Sequence, residues 1–324
     1  YSQNAGLLEL RNVISDYYIR KEGFEYDPIS EIMVTVGAME GLYLALLSIT
    51  NPGDEYIIPA PYYVNYGQMV HMCGGIPVIV DKPAEEPLTF RTEDIEAAIT
   101  PKTKAIIINT PSNPSGKIIS WNKIEKLAEL AKKHDLYVIS DEVYKCLIYG
   151  ENKFKSIVSI EGMRERTILT NSLSKEFCMT GWRIGYVLAN KEIVANMTKL
   201  QENICACAPL PSQYAAIEAL SSKEDYSANM KSIFSERRDA LVSGINSIKG
   251  LSCTPPDATF YLMVDISKTG LKSFDFACKL LESVHVAVVP GVTYGQSCDN
   301  YVRIAFTKNV DVIKQGVERI ATFM

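Results

Sequence analysis

The chain has 324 residues, 47% of them hydrophobic and 22% charged, which is enough to bury a large core and to divide into two lobes. A net charge of −5 excludes a broad basic surface for nucleic acid or anionic lipid, and no apolar run of about 18 residues is available to span a bilayer, so small molecules are the expected partners. Eight Cys lack a framework spacing, with Cys205-Ala206-Cys207 too close for the usual zinc or redox motifs, and predict free buried thiols in a reducing cytoplasm. Three scattered His without HExxH spacing argue against a metal site.

The chain opens at Tyr1 with no Met, no apolar signal core and no basic targeting stretch, so an upstream segment is expected to be missing. Leu7, Leu10, Val13, Ile14 and Tyr17 follow helical spacing and predict a helix over residues 6–21. Met33 to Val36 reads as a strand; a helix from Glu40 through Leu47 follows and is stopped by Asn51-Pro52-Gly53. Buried strands are then predicted at 56–58, 77–80, 105–108, 137–139 and 167–169, with a helix between the third and fourth of these that carries Ile124, Leu127, Ala128 and Ala131 on one face. Strands apolar on both faces, alternating with helices, predict an α/β fold: a mostly parallel sheet flanked by helices. From about residue 224 to 249 a long charged helical stretch leads into an α+β lobe, with strands at 260–265, 286–289 and 301–306, a helix at 273–283 and a last helix from Val310. The expected division is a large domain, 1–230, and a small C-terminal domain, 231–324.

In such sheets ligands collect at the carboxyl ends of the strands. There the chain places Asn109 to Gly116, Ser140-Asp141-Glu142 and Asn171 to Lys175, all expected on one rim. Ser172-Leu173-Ser174-Lys175, with Arg183 eight residues later, is how a pyridoxal phosphate (PLP) enzyme holds its cofactor: the lysine amine forms a Schiff base, and Ser172 and Arg183 bind phosphate. Asp141, just past an apolar strand, needs a cationic partner, which a protonated pyridine nitrogen would supply; read alone it also fits a helix N-cap. Asn113 and Tyr144, the latter one helical turn after Asp141, could bind the phenolic oxygen of PLP, although turn chemistry and core packing also account for them. Gly37-Ala38-Met39 opens a helix whose N–H groups would attract phosphate, and Tyr63 could stack on the ring or simply fill core. Arg303, inside the apolar run Tyr301–Phe306, calls for a bidentate anion, either a substrate carboxylate or a structural partner.

Together, Gly37-Ala38, Pro61-Tyr62-Tyr63, Asn113-Pro114-Ser115-Gly116, Ser140 to Tyr144, Ser172 to Lys175, Gly181 to Gly185 and Tyr301-Val302-Arg303 resemble the class I/II aminotransferases of PLP fold type I, aspartate/aromatic type, almost end to end. The resemblance implies PLP as cofactor, with Lys175 as its covalent anchor, Asp141 on the pyridinium, Asn113 and Tyr144 on the ring oxygen, Ser172 and Arg183 on the phosphate, and Arg303 on the substrate carboxylate. Tyr1 matches a tyrosine that reaches the phosphate of a neighbouring subunit, which implies a homodimer with shared sites. The implied reaction is a ping-pong transfer of an amino group from an L-amino acid to a 2-oxo acid, with Lys175 moving the proton from Cα.

Two departures qualify it. Family members usually carry several dozen residues before that tyrosine, including an arm that closes over the substrate, and that arm is expected to be absent here. Met39 stands where some aspartate-using relatives place a lysine, so a neutral or aromatic donor is expected rather than aspartate. A carbon–sulfur β-lyase, or a PLP-sensing domain of a transcription regulator, would use the same machinery.

Overall fold

The computed structural model describes residues 2–83, 86 and 88–324. The first helix, α1 (Leu8–Glu22), buries Leu10, Ile14, Tyr17 and Tyr18 and stops at Gly23, whose left-handed backbone (φ 77°) closes the last turn. After it come β1 (Ile32–Thr35), α2 (Gly37–Ile49), β2 (Glu55–Pro59), α3 (Asn65–Met72), β3 (Ile76–Val80), α4 (Thr92–Ala97), β4 (Thr103–Asn109), α5 (Trp121–Lys133), β5 (Tyr137–Asp141), β6 (Thr167–Ser172), the single turn α6 (Leu173–Glu176) and β7 (Gly185–Leu188). Helices α7 (Lys191–Ile204), α8 (Leu210–Ser221) and α9 (Tyr226–Asn246) precede a second sheet made by β8 (Tyr261–Asp265), β9 (Val289–Pro290) and β10 (Tyr301–Ala305), with α10 (Ser273–Val284) and α11 (Val310–Phe323).

The large sheet runs β3-β2-β4-β5-β6-β7-β1. Its five strands from β3 to β6 pair in parallel, while β7 is antiparallel to both β6 and β1. Both faces are covered, as continuous apolar strands require. On one face Leu42, Leu44 and Met197 pack against Met33, Ile139 and Ile168; on the other Ile124, Leu127 and Ala131 meet Ile57, Ile106 and Val138. Each of these buried Leu, Ile, Val and Met side chains contributes roughly 1.5–3 kcal/mol relative to exposure. The smaller antiparallel sheet has its own core of Leu241, Ile245, Val264, Phe276, Leu280, Val302 and Ile320, drawn from α9, α10, α11 and the strands.

Several expectations need correction. The second helix starts at Gly37, not Glu40, because the left-handed Gly37 turns the chain directly into it. The strand expected at 286–289 is reduced to Val289–Pro290: the chain leaves α10 through a left-handed His285, and pairing with β10 begins only at Val289. Tyr144 lies not on a helix but in consecutive tight turns, closed by Lys145 N–H to Glu142 O and Leu147 N–H to Tyr144 O. All eight cysteines are free, yet only Cys146 and Cys298 are buried: Cys73, Cys207, Cys253 and Cys278 are half-buried and Cys178 and Cys205 exposed.

Candidate active site

Parallel register brings the carboxyl ends of β4, β5 and β6 side by side. Asn109 faces Asp141 across β4 and β5, and Asp141 faces Thr170 across β5 and β6. The Asn109 amide donates to the Asp141 carbonyl at 3.0 Å, while its Oδ1 accepts the Asn113 N–H at 2.7 Å, so this side chain fixes the turn that carries Asn113. Asp141 is the last residue of its strand rather than one past it, and it is 5% exposed. Its carboxylate accepts from Tyr66 Oη at 2.6 Å and from Val143 N–H at 3.3 Å. Burial outweighs both bonds and pushes the carboxyl up to about 6. Tyr66, fully buried on α3, is in turn held neutral by its burial and by the Asp141 charge.

The next strand end carries the lysine. Ser172 caps α6, its Oγ accepting the Ser174 N–H at 3.4 Å, and this sets the turn from which Lys175 projects. Lys175 Nζ lies 5.5 Å from the Tyr144 ring centre and 5.3 Å from that of Phe260. Burial lowers its pKa; Asp141 opposes the shift and Arg183 adds to it. Arg183 follows in a left-handed conformation (φ 49°) and packs against Gly37, where a Cβ would come within 2.5 Å of Nη2. A Cβ on Gly185 would meet the Gly37 carbonyl carbon at 2.7 Å and the Ala38 nitrogen at 2.8 Å. The two glycines therefore let β7, the α2 N-terminus and the guanidinium converge, an arrangement of cation and helix N–H groups that favours an anion.

Arg303 enters from the smaller sheet. Its Nη1 donates to Asn113 Oδ1 at 2.8 Å, and its guanidinium lies 4.3 Å from the Tyr261 ring centre and 5.2 Å from that of Tyr294. Nε is buried without a hydrogen-bond partner. Tyr144 Oη and Tyr261 Oη are 3.2 Å apart, which joins the two lobes across the opening. On the opposite wall Asn65 donates to Tyr63 Oη at 3.2 Å and toward Met39 Sδ at 3.8 Å, while Tyr63 meets Tyr66 edge-on at 5.5 Å.

These side chains enclose a cleft with an empty volume of about 820 Å³, lined by Ala38, Met39, Tyr63, Asn113, Asp141, Tyr144, Ser172, Lys175 and Arg183 among others. Gly37 supports it beneath Arg183, and Arg303 reaches it through Asn113 and Tyr261. Tyr1 lies outside the described residues. Sequence reasoning missed Tyr66 and Tyr261, and placed Asn109 on the rim without giving it a role. Of these, Asn109 had a readable signal, since it ends an apolar strand just as Asp141 does.

The model of the aminotransferase class I and II family matches residues 1–320. The chain belongs to this family. It is 36% identical over 322 residues to aromatic-amino-acid aminotransferase 2 of Thermococcus litoralis, covering 99% of this chain and 82% of that one. It is 38% identical over 330 residues to an aspartate aminotransferase of Bacillus sp. YM-2, covering 100% and 83%. The crystal structure of an aromatic aminotransferase from Pyrococcus horikoshii superposes with a TM-score of 0.96 at 37% identity, over 99% of this chain and 87% of that chain. The protein is therefore an aminotransferase of PLP fold type I, and PLP dependence is general in its family.

Proposed function

We propose that the cleft holds PLP and that the enzyme moves the amino group of a neutral or aromatic L-amino acid to a 2-oxo acid by a ping-pong mechanism. The observation that carries this reading is Asp141, a buried carboxyl raised to about 6 against which only Lys175 exerts a weak cationic pull. A protonated pyridine nitrogen is the partner such a carboxylate lacks. The remaining residues fit the same group: Ser172, Arg183 and the Gly37–Ala38–Met39 turn for phosphate, Asn113 and Tyr144 for the ring oxygen, Tyr63 for the ring face and Lys175 for the aldehyde carbon. When bound, the cofactor supplies an electron sink for charge developing at the substrate Cα.

Arg303 holds the substrate carboxylate through guanidinium donors that its bond to Asn113 does not use. Asn113 orients Arg303 through the 2.8 Å bond. Burial lowers the Lys175 pKa, so its amine is more readily neutral and able to take the Cα proton. Among the described residues lining the cleft, the cations are Lys175 and Arg183, both assigned, whereas Met39, Tyr63 and Tyr261 offer apolar surface. That favours a donor without a distal carboxylate. We take residues 1–230 as the cofactor-holding domain and 231–324 as the smaller one, with α9 running through the boundary. The active form is a homodimer in which Tyr1 serves the site of the neighbouring subunit.

The test is the absorbance of PLP-loaded protein as L-amino acids are added singly without acceptor. Conversion to the pyridoxamine form with an equivalent of 2-oxo acid is expected, fastest for aromatic or neutral donors. A loaded protein that converts with none of them overturns the reading, and aspartate as the best donor overturns the substrate class.

A further inference from the structure

Behind the cleft lies a buried polar cluster that takes no part in lining it. At its centre Lys145, with a side chain only 6% exposed, lies 2.8 Å from Glu22 on α1 and 3.7 Å from Glu142, which is fully buried. Lys145 also donates to Tyr18 Oη at 3.0 Å and stands 4.1 Å from that ring's centre. Tyr18 Oη meets Asn171 Nδ2 and Tyr186 Oη, each at 3.5 Å, and Asn171 Oδ1 accepts the Ser172 N–H at 2.8 Å. One residue earlier on α1, Tyr17 Oη donates to the carboxylate of Glu176, 2.9 Å and 3.0 Å from its two oxygens.

Three of these contacts end next to a residue of the cleft. Glu142 follows Asp141, Asn171 precedes Ser172 and Glu176 follows Lys175. Burying an ammonium and carboxylates costs several kcal/mol in desolvation, a cost that apolar side chains at 22, 142 and 145 together would avoid. An apolar side chain would not join this network: Tyr18 Oη meets Asn171 near the end of β6, Tyr17 holds Glu176 on α6, and Lys145 joins Tyr18 to Glu22 while attracting Glu142, just past β5, by charge alone, since Glu142 Oε2 has no hydrogen-bond partner. We propose that Lys145, acting with Tyr17 and Tyr18, is a positioning residue: it locks the Asp141, Ser172 and Lys175 segments to α1 so that the cofactor's nitrogen, phosphate and aldehyde ends are met at once. The inference rests on the cofactor reading above.

The experiment titrates apoprotein with PLP and follows the absorbance of the lysine-bound cofactor as a function of pH. Tyr17→Phe and Tyr18→Phe keep both rings and remove only hydroxyls. Each is expected to weaken PLP binding roughly three- to tenfold, the usual range for one lost hydrogen bond, and to move the pH midpoint of the absorbance change. Lys145→Met strands Glu22 and Glu142 and can fail to fold, so the neutral triple variant Glu22→Gln, Glu142→Gln, Lys145→Met accompanies it. Weakened binding in the folded triple variant, restored to neither midpoint nor affinity at saturating stability, supports positioning. Wild-type affinity and pH midpoint in the phenylalanine variants and the triple variant, whatever their melting temperatures, overturn it. If the unaltered protein does not load PLP, the cofactor reading has failed instead, and the two failures are thereby distinguished.

Discussion

Replacing Asp141 by Asn should stabilise the apoprotein above neutral pH while weakening its hold on PLP. The rise of the Asp141 carboxyl from 3.8 to about 6 corresponds to about 3 kcal/mol against the ionised form. Because the folded pKa lies above the unfolded one, the native state binds the extra proton. Stability from this group therefore falls as pH rises from about 4 to about 6, and the penalty is fully developed above that. Asn carries no charge, but it meets Tyr66 Oη and the Val143 N–H, both donors, with only one acceptor oxygen. The mismatch costs about 1 kcal/mol. The expected difference, variant minus wild type, is about −1 kcal/mol near pH 4 and about +1 to +2 kcal/mol at pH 8, read from urea unfolding of both apoproteins across that range. PLP affinity in the variant should drop about 100-fold, since the same 3 kcal/mol no longer rewards a pyridinium. A stability difference that does not change sign with pH would refute the reasoning.

Tyr66→Phe removes the 2.6 Å bond that stabilises the Asp141 carboxylate, so the carboxyl should rise above about 6. The acid limb of the pH–rate profile should move upward, and kcat/KM at neutral pH should fall roughly 10- to 100-fold, as expected for a lost bond to a charged group. Gly37→Ala places a Cβ 2.5 Å from Arg183 Nη2 at a φ of 76°, so PLP affinity measured by equilibrium dialysis should fall by about tenfold or more. Arg303→Lys cannot reproduce the fork against a carboxylate, so KM for the donor should rise at least about tenfold, a larger change than the loss of PLP affinity that follows from losing its bond to Asn113. Met39→Lys introduces a cation into the cleft and should raise kcat/KM for aspartate relative to phenylalanine by about tenfold, measured with both donors at fixed acceptor.

The catalytic rim was readable because its residues interrupt apolar strands. Asp141 and Lys175 stand where Tyr137–Ile139 and Thr167–Leu169 give way to polar chain, and parallel topology does the rest. Tyr66 was not readable: it is one of 18 tyrosines, on an eight-residue helix too short to display a period. β7 was hidden for a different reason. Its four residues directly follow the Arg183 motif, and their antiparallel insertion beside β6 serves to bring Gly185 under the α2 turn, a tertiary requirement without a local signature. Helix α7, which the sequence reading did not place, begins at Asn190, whose Oδ1 accepts from the N–H groups of Glu192 and Ile193 as an N-cap should. Asn113 was expected at both cofactor and substrate; that its oxygen accepts from Arg303 depends on how the two lobes close, which spacing along the chain does not encode.

The site's groups share one energetic property. Asp141 is desolvated, Lys175 is lowered by burial and Arg303 leaves Nε unpartnered, so without ligand each stands above its best free energy. The contacts that surround them are packed or hydrogen-bonded: Gly37 and Gly185 in close backbone contact, Tyr66 bonded to Asp141, and Lys145 paired with Glu22 on α1. Ligand that answers those unmet charges binds the native state alone, so its affinity and the protein's stability rise together by linkage. Substitutions that relax the groups should therefore gain apoprotein stability at the expense of affinity, whereas substitutions that relax the supports should lose both.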